Sequence, residues 1–172
     1  YRQLYFQSIL DNNNFNVKII DYGNLIHIDE KETEEIMARP YRPPENILTN
    51  NYDKKADIWS VGCLLFELLT NDYIFDIDKN LDNSKRDIDH LRKMTMYIGK
   101  IPKKLYEDSV YFKHIKKFKE IETMPIHIIL INDYGFDKED AEEIECFIKK
   151  LLTYESEQRY CVDLAISDKW CR

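Results

Sequence analysis

The chain has 172 residues, of which 44% are apolar and 13% aromatic, and its formal net charge is −7. This length and composition suffice for one domain with a substantial buried core. The excess of acidic residues argues against a nucleic-acid surface as the main function and suits a basic partner better. The longest nearly apolar run, Ile58 to Leu69, has about half the roughly 20 residues that a membrane span needs, so we expect no membrane segment.

The first sixteen residues differ in character from the rest of the sequence. Leu4 to Ser8 reads LYFQS, which resembles the end of a protease site used to remove purification tags, although Arg2 and Gln3 do not fit that site. We predict that residues 1–8 are an expression-tag remnant. The following DNNNFN, residues 11–16, is polar and rich in Asn, so we assign residues 9–16 to a linker or the end of a spacer. No charged and apolar leader is recognised, so we expect an intracellular protein.

Two short β-rich pieces follow and flank a glycine turn. Val17 to Ile20 reads VKII, Leu25 to Ile28 reads LIHI, and Asp21 and Gly23 lie between them. This pattern predicts a short β-hairpin.

Helical patterns occupy most of the remaining chain. From Asp57 to Leu69 the apolar positions leave almost no polar stripe, which predicts a helix inside the domain. A second helix is predicted around residues 86–98, where Gly99 is placed to end it. Its inward face is formed by Ile88, Leu91, Thr95 and Ile98.

A third helix is predicted near the C-terminal end, with acidic residues at its start and Lys149 and Lys150 at its end, as the helix dipole favours. Its apolar face is formed by Ile144, Phe147, Ile148, Leu151 and Leu152. The run IHIILI, Ile126 to Ile131, fits a strand or a helix equally well. The expected fold is therefore mainly α.

Two charged runs and four cysteines carry little functional signal by themselves. The acidic run DEKETEE, residues 29–35, and the basic run KHIKKFK, residues 113–119, are expected to be solvated faces or loops. The cysteines have neither Cys-x-x-Cys spacing nor nearby histidines, so buried or free thiols are expected rather than zinc. They are Cys63, Cys146, Cys161 and Cys171.

Three motifs in a fixed order resemble the C-lobe of a eukaryotic-type protein kinase. They are VKIIDYGN from Val17, ARPYRPPENIL from Ala38, and DKKADIWSVGCLLFELLTNDYIF from Asp53. They are similar to the magnesium loop, the end of the activation segment, and the central helix of that family. Each motif is weak alone, and the order and spacing carry the resemblance.

Further segments of the sequence are most similar to the SR-protein kinases, which phosphorylate serines in Arg/Ser-rich splicing factors. The resemblance includes DIDHLRKMTMYIGKIPKKL from Asp87 and EQRYCVDLAISDKW from Glu157, and it runs from about Val17 to Trp170. It implies a mainly α kinase C-lobe over residues 17–172, with the short β-hairpin at the magnesium loop. It also implies a cytoplasmic or nuclear protein.

The resemblance assigns Asp21 as a Mg²⁺ ligand that would hold the metal against the phosphates of ATP. Without the other motifs, an ordinary Asp-x-Gly turn after a strand would explain Asp21 as well. Gly23 would permit a sharp turn after the ligand. ATP and Mg²⁺ are thus the cofactors implied for the complete kinase.

Three further residues are assigned structural roles by the resemblance. Glu45 and Arg159 match a pair that fixes the end of the activation segment to the helices behind it, and a guanidinium–carboxylate contact suits that role. Asp57 matches a helix-start Asp that accepts backbone N–H groups of the catalytic loop. An ordinary N-terminal helix carboxylate is a compatible interpretation.

The general base of a protein kinase is not found in this sequence. That Asp belongs to a His-Arg-Asp-like loop upstream of the magnesium loop, and all four histidines here follow Asp21. The glycine-rich loop and its ATP-binding lysine are not found either. We therefore expect no catalytic residue in this chain, no activity of the chain alone, and a partner that supplies the N-lobe half.

The activation segment departs from the SR-protein kinase pattern at one position. Arg39, Tyr41 and Arg42 match the family's Thr-Arg-x-Tyr-Arg motif, but Ala38 replaces its Thr. That Thr normally hydrogen-bonds to the catalytic Asp and a neighbouring Lys, so Ala38 weakens the expectation of full activity.

The family's docking groove for Arg/Ser segments uses acidic side chains, two of which match Asp72 and Asp89. Met96 takes the place of an expected Glu, close in sequence to Arg92 and Lys93. A turn residue and a solvated helix carboxylate are equally good interpretations of the two aspartates.

Two classes of function remain open at this level. The first is part of a serine/threonine kinase that acts on Arg/Ser-rich proteins, with no direct contact to nucleic acid or membrane. The second is a pseudokinase or free-standing C-lobe that binds proteins, favoured by Ala38 and by the missing catalytic loop.

Overall fold

The computed structural model describes residues 17–27 and 36–172 and divides the chain into two compact units, Tyr1–Lys31 and Glu32–Arg172. The second unit holds every α-helix among the described residues, and no strand occurs in them. The mainly α fold expected for a kinase C-lobe is confirmed.

The described part of the first unit contains one short element. Tyr22–Asn24 form a 3₁₀ turn, and Val17–Ile20 have no regular secondary structure and are exposed. The predicted β-hairpin is not confirmed, and Ile28 at its end lies outside the described residues. A two-stranded hairpin is marginal without a surface to pack on, and the exposure of these apolar residues is consistent with that.

Seven α-helices form the described part of the second unit. In chain order they are α1 Pro44–Leu48, α2 Ala56–Thr70, α3 Asn83–Tyr97, α4 Phe112–Ile115, α5 Ile126–Tyr134, α6 Lys138–Leu151 and α7 Val162–Ile166. Short 3₁₀ turns lie before α1 at Arg39–Tyr41, on either side of α4 at Lys103–Leu105 and Lys116–Glu120, and after α7 at Lys169–Cys171. The ambiguous run IHIILI is thus the start of helix α5.

Helix α2 is central to the packing. Trp59, Cys63 and Phe66 are buried along one side, and the Trp59 ring stacks on Phe75 at 6.0 Å between centroids. Gly62 faces α6, where a Cβ atom would lie 2.8 Å from the Leu152 side chain. The missing side chain therefore permits the close approach of α2 and α6.

One face of α2 is exposed, which differs from the prediction of burial on all sides. Val61, Leu64 and Leu68 are 49%, 43% and 62% exposed and follow one another at helical spacing. Asp57 begins the same face. The sequence predicted the helix correctly but not which of its faces is exposed. A pattern that is apolar on all sides does not distinguish one face from another.

Helix α6 has the predicted inward face, and α3 has it in part. In α3, Leu91 and Thr95 are buried as predicted and Ile88 and Ile98 are half-buried, whereas buried His90 and Met94 were not predicted. Asp82 caps α3, and its Oδ1 accepts a hydrogen bond from the Lys85 backbone N–H at 3.0 Å. Gly99, which follows the end of α3, has a φ of 117°, a conformation that side chains rarely adopt. In α6, Ile144, Phe147, Ile148 and Leu151 are all buried.

Helices α5 and α6 are joined by a buried charge cluster. Glu145 accepts hydrogen bonds from the backbone N–H of Ile126 at 3.1 Å and from the His127 ring. Lys149 pairs with the same carboxylate at 2.6 Å. Burial alone would raise the pKa of Glu145, but the hydrogen bonds from Lys149 and His127 outweigh it and lower that pKa. Separately, no helix of the described residues is long and apolar enough to cross a membrane.

Candidate functional site

The candidate metal ligand Asp21 lies in the first unit and is exposed. Its backbone is left-handed, with φ 64° and ψ 59°, and the Tyr22 hydroxyl donates to the Ile19 carbonyl at 2.6 Å. The unusual φ is therefore at Asp21 and not at Gly23, where an added Cβ would make only an ordinary contact of 3.7 Å. The sharp turn predicted at Gly23 is shifted by two residues.

The Asp21 carboxylate fits one part of a magnesium site. Mg²⁺ prefers hard oxygen ligands, keeps several waters, and is commonly held by one or two carboxylates together with substrate phosphates. The described residues contain no group of three or more His, Cys, Asp or Glu side chains able to hold a metal ion. Asp21 can thus contribute one ligand, and nucleotide phosphates would contribute others.

The end of the activation segment is fixed to α3 through Arg39. This residue begins the 3₁₀ turn after exposed Ala38 and forms an ion pair with Asp87. Asp87 also accepts a hydrogen bond from the Tyr111 hydroxyl at 2.7 Å. Burial together with this hydrogen bond raises the pKa of Tyr111 to about 12. Sequence analysis did not single out Asp87 or Tyr111.

The same segment is fixed to α2 through Tyr41. Its hydroxyl donates to Glu67 Oε2 at 2.6 Å, and its carbonyl accepts from the Ser60 hydroxyl at 3.1 Å. Burial, reinforced by the Glu67 carboxylate, raises the pKa of Tyr41 well above its usual value. The Arg42 side chain is buried and donates to the Met37 carbonyl at 3.2 Å. These contacts hold Arg39, Tyr41 and Arg42 in one defined conformation.

Glu45 and Arg159 are 114 positions apart in the sequence and in direct contact in the structure. Arg159 Nη1 lies 2.8 Å from Glu45 Oε1, and Nη2 lies 3.0 Å from Oε2, which is a bidentate contact. Arg159 is 1% exposed and also donates to the carbonyls of Thr153, Lys55 and Tyr154. Its guanidinium lies 5.1 Å from the centre of the Trp59 ring. Every donor direction of this buried cation has a partner.

Asp57 lies in the first turn of α2 and is exposed. The residue as a whole is exposed, but protein atoms around the carboxyl group partly desolvate it and raise its pKa. In the described part of the chain, no donor lies within hydrogen-bonding distance of this carboxylate. The position is compatible with the predicted role as an acceptor of backbone N–H groups, and that role stays a prediction.

The two docking candidates occupy different environments. Asp72 is exposed just after α2 and accepts a hydrogen bond from the Tyr134 hydroxyl at 2.9 Å. Asp89 lies on α3 with a side chain 14% exposed, and it pairs with Arg92 and Lys93 at 2.9 Å each. Burial alone would raise the pKa of Asp89, but these two partners lower it. Its charge is already compensated within the helix.

Met96, which replaces an expected acidic residue, lies beside another methionine. The Met96 carbonyl accepts from the Met124 backbone N–H at 2.8 Å, and the Met124 side chain is 43% exposed. Met96 therefore supplies no carboxylate at the position where the family pattern has one.

A shallow depression next to the activation segment was not predicted from the sequence. It is lined by Arg39, Pro40, Tyr73, Asp76, Ile77, Lys79 and Arg86. Arg39 is paired with Asp87, and Arg86 donates to the Lys79 carbonyl, so both guanidinium groups are positioned.

Comparison with known protein families agrees with the kinase resemblance of the sequence motifs. Residues 1–171 match the model of the protein kinase domain. The chain belongs to the protein kinase family.

Individual relatives point to one branch of that family. The serine/threonine-protein kinase spk-1 of Caenorhabditis elegans is 31% identical over 157 residues, which cover 87% of this chain and 16% of the relative. The serine/threonine-protein kinase SKY1 of Saccharomyces cerevisiae is 30% identical over 163 residues, or 91% of this chain and 22% of the relative. The serine/threonine-protein kinase SRPK of Physarum polycephalum is 32% identical over 151 residues, or 83% and 35%.

The predicted resemblance to SR-protein kinases is confirmed by these relatives. The chain nevertheless spans only between 16% and 35% of their lengths.

Proposed function

We propose that this chain is the C-lobe of a serine/threonine protein kinase that transfers the γ-phosphate of ATP to serines of Arg/Ser-rich proteins. The observation that carries the proposal is the bidentate contact between Glu45 and buried Arg159, which fixes the end of the activation segment. The names of the relatives, all serine/threonine-protein kinases, support the activity.

The residues of this chain would have different roles in phosphoryl transfer. Asp21 would hold Mg²⁺, which neutralises phosphate charge and positions the nucleotide. The segment from Arg39 to Arg42 would present a rigid surface to the substrate, because it is tied to both α2 and α3. The general base and the ATP-binding lysine would come from the N-terminal half of the kinase, which holds the N-lobe and the catalytic loop, since neither motif occurs among these 172 residues.

The substrate class is proposed from charge. An unphosphorylated Arg/Ser repeat carries one positive charge per dipeptide, and the chain carries a net charge of −7. Asp72 is the more accessible docking candidate, because Asp89 is paired with Arg92 and Lys93. We expect a weak and salt-sensitive docking contribution.

The test is a phosphotransfer assay on the protein with its N-lobe half present, using an Arg/Ser octarepeat and Mg·ATP. Incorporation of phosphate into serine should be lost on Asp21→Asn and retained on Asp108→Asn, a change at an exposed carboxylate far along the chain. Equal turnover by both variants would exclude the metal role of Asp21. Absence of transfer to the repeat, with transfer to other peptides, would exclude the substrate class.

A second candidate is a pseudokinase or C-lobe that acts as a protein-binding module. Ala38 favours it, because a methyl group cannot replace the hydrogen bonds of the family's Thr. The 172-residue chain alone should show no phosphotransfer and no rise in melting temperature with Mg·ATP. If the Ala38→Thr change in the protein with its N-lobe half creates activity that the parent lacks, the second candidate is favoured.

A further inference from the structure

A compact basic surface lies at the junction of α4 and the following 3₁₀ turn. Five basic side chains in seven residues are exposed, namely Lys113, His114, Lys116, Lys117 and Lys119. We call residues 113–119 the basic segment. It contrasts with the rest of an acidic chain that has 32 Asp and Glu residues against 25 Lys and Arg.

The backbone of the basic segment is fixed by two apolar residues. Ile115 is 5% exposed, and Phe118 packs against the same core. These residues are three apart on consecutive helical turns, so they share the inward face and the lysines project outward. Backbone hydrogen bonds from His114 N–H to the Tyr111 carbonyl at 2.9 Å and from Ile121 N–H to the Phe118 carbonyl at 3.0 Å hold both ends.

The four lysines of the basic segment have no anionic partner within the described residues. Some lysines elsewhere are paired, as Lys149 is with Glu145 at 2.6 Å and Lys150 with Asp168 at 2.7 Å. Other lysines, such as Lys54 and Lys100, also have no anionic partner among the described residues, but only the basic segment places four such lysines within seven described residues. Four unpaired ammonium groups held together by a fixed backbone repel one another. An anion bound along the segment would remove that repulsion.

The side chains of the basic segment fit some classes of polyanion better than others. Its aromatic ring, Phe118, packs against the core, so the segment offers no stacking platform for bases of single-stranded RNA. Its aliphatic residue, Ile115, is buried and cannot enter a lipid surface, and exposed Glu120 and Glu122 follow directly. Lysine ammonium groups bind carboxylates and phosphates as point charges without demanding a planar fork.

We propose that the basic segment is a docking surface for an anionic polypeptide, whose carboxylate or phosphoserine groups pair with Lys113, Lys116, Lys117 and Lys119. This surface uses none of the residues proposed above for metal binding or substrate docking. It would recognise charge density along an extended peptide and not a particular side-chain shape.

The test is a fluorescence-anisotropy titration of the 172-residue chain with two labelled peptides, one of ten glutamates and one with five phosphoserines spaced by glycine. The variant carries Lys113→Gln, Lys116→Gln, Lys117→Gln and Lys119→Gln. The matched control carries Lys18→Gln, Lys54→Gln, Lys79→Gln and Lys100→Gln, which lowers the net charge equally at scattered exposed positions. These lysines likewise have no anionic partner among the described residues.

At low salt the variant should bind about tenfold or more weakly than the parent, as expected for the joint loss of four exposed ion pairs, and the control should stay within about twofold. Arginine at the four positions should restore binding, which separates charge from loss of fold. Binding of both peptides assigns acidic segments generally, and binding of the phosphoserine peptide alone assigns phosphoproteins.

Three results would overturn the proposal. The first is equal binding by variant and parent, and the second is an equal loss in the matched control. The third is binding of single-stranded RNA or of phosphatidylserine vesicles through the four lysines with no binding of either peptide.

Discussion

The attachment of the activation segment and the candidate docking surface are both built from charged residues, but they use charge differently. Glu45 and Arg159 face each other in the interior, and every group of the cation is satisfied. Asp72 is exposed, and Asp89 is compensated by neighbours on its own helix. Buried pairs are costly to break, whereas exposed pairs contribute little and are screened by salt. We therefore expect the first region to determine stability, and we propose that the second adjusts recognition.

The largest effect is expected from Arg159→Ala. Removing the guanidinium leaves the Glu45 carboxylate without its partner in a mostly buried position, which should lower the free energy of unfolding by about 3–5 kcal/mol. Denaturant titration followed by circular dichroism measures this value. Arg172→Ala, at the exposed last residue, serves as control and should have no measurable effect. A midpoint for Arg159→Ala close to that of the parent would contradict the buried pair.

A smaller effect is expected from Tyr41→Phe. The change removes the hydroxyl that donates to Glu67 at 2.6 Å and should cost about 1–2 kcal/mol, because the carboxylate loses a partner in a partly buried site. Tyr106→Phe is the matched control, since its hydroxyl makes no hydrogen bond among the described residues. Equal unfolding free energies for the two variants would show that the segment is not held to α2 through Tyr41.

The docking surface should respond more weakly. The double variant Asp72→Asn, Asp89→Asn should weaken binding of an Arg/Ser octarepeat to the chain by about 1 kcal/mol or less, with most of the loss from Asp72. Titrations at low and at physiological salt measure it, since the Debye length falls to about 8 Å at the latter. Asp108→Asn, Asp163→Asn is the charge-matched control. If all three proteins bind equally at low salt, these aspartates do not form the docking surface.

The smallest effect concerns acid stability at Asp89. Its partners lower its folded pKa, so the stabilisation is present above the unfolded value of about 3.9 and is lost as pH falls through the lower folded pKa. Asp89→Asn should flatten the loss of stability below about pH 4 by a few tenths of a kcal/mol, as for other intrahelical pairs. Thermal melts across this pH range check it. An unchanged slope would mean that Arg92 and Lys93 do not stabilise the charged form of Asp89.

The long helices could be predicted from sequence because their apolar periodicity is local information. Ile144 to Leu151 illustrates this, since the spacing alone defines the buried face of α6. The uncertain run IHIILI became helix α5, and its side-chain partner Glu145 lies 19 positions away from Ile126. Such distant partners are not visible in a window of sequence.

The contacts of the candidate site could be predicted from the sequence only in part. Glu45 and Arg159 could be paired through the family resemblance, although no local pattern connects them. The contacts of Arg39 with Asp87 and of Tyr41 with Glu67 were missed, because they depend on how α2 and α3 pack. The hairpin at the magnesium loop was predicted from β propensity, which depends strongly on packing context and is weak evidence without it.

The central claim is that a buried charge pair, and not surface electrostatics, holds the activation segment in place. Two double-mutant cycles test it most directly, each read out as unfolding free energy. One combines Glu45→Gln with Arg159→Met, and the other combines Glu143→Gln with Lys169→Met, a pair whose side chains are 51% and 72% exposed. The account predicts a coupling energy of about 2 kcal/mol or more for the first pair and below about 0.5 kcal/mol for the second. A first coupling as small as the second would contradict the claim.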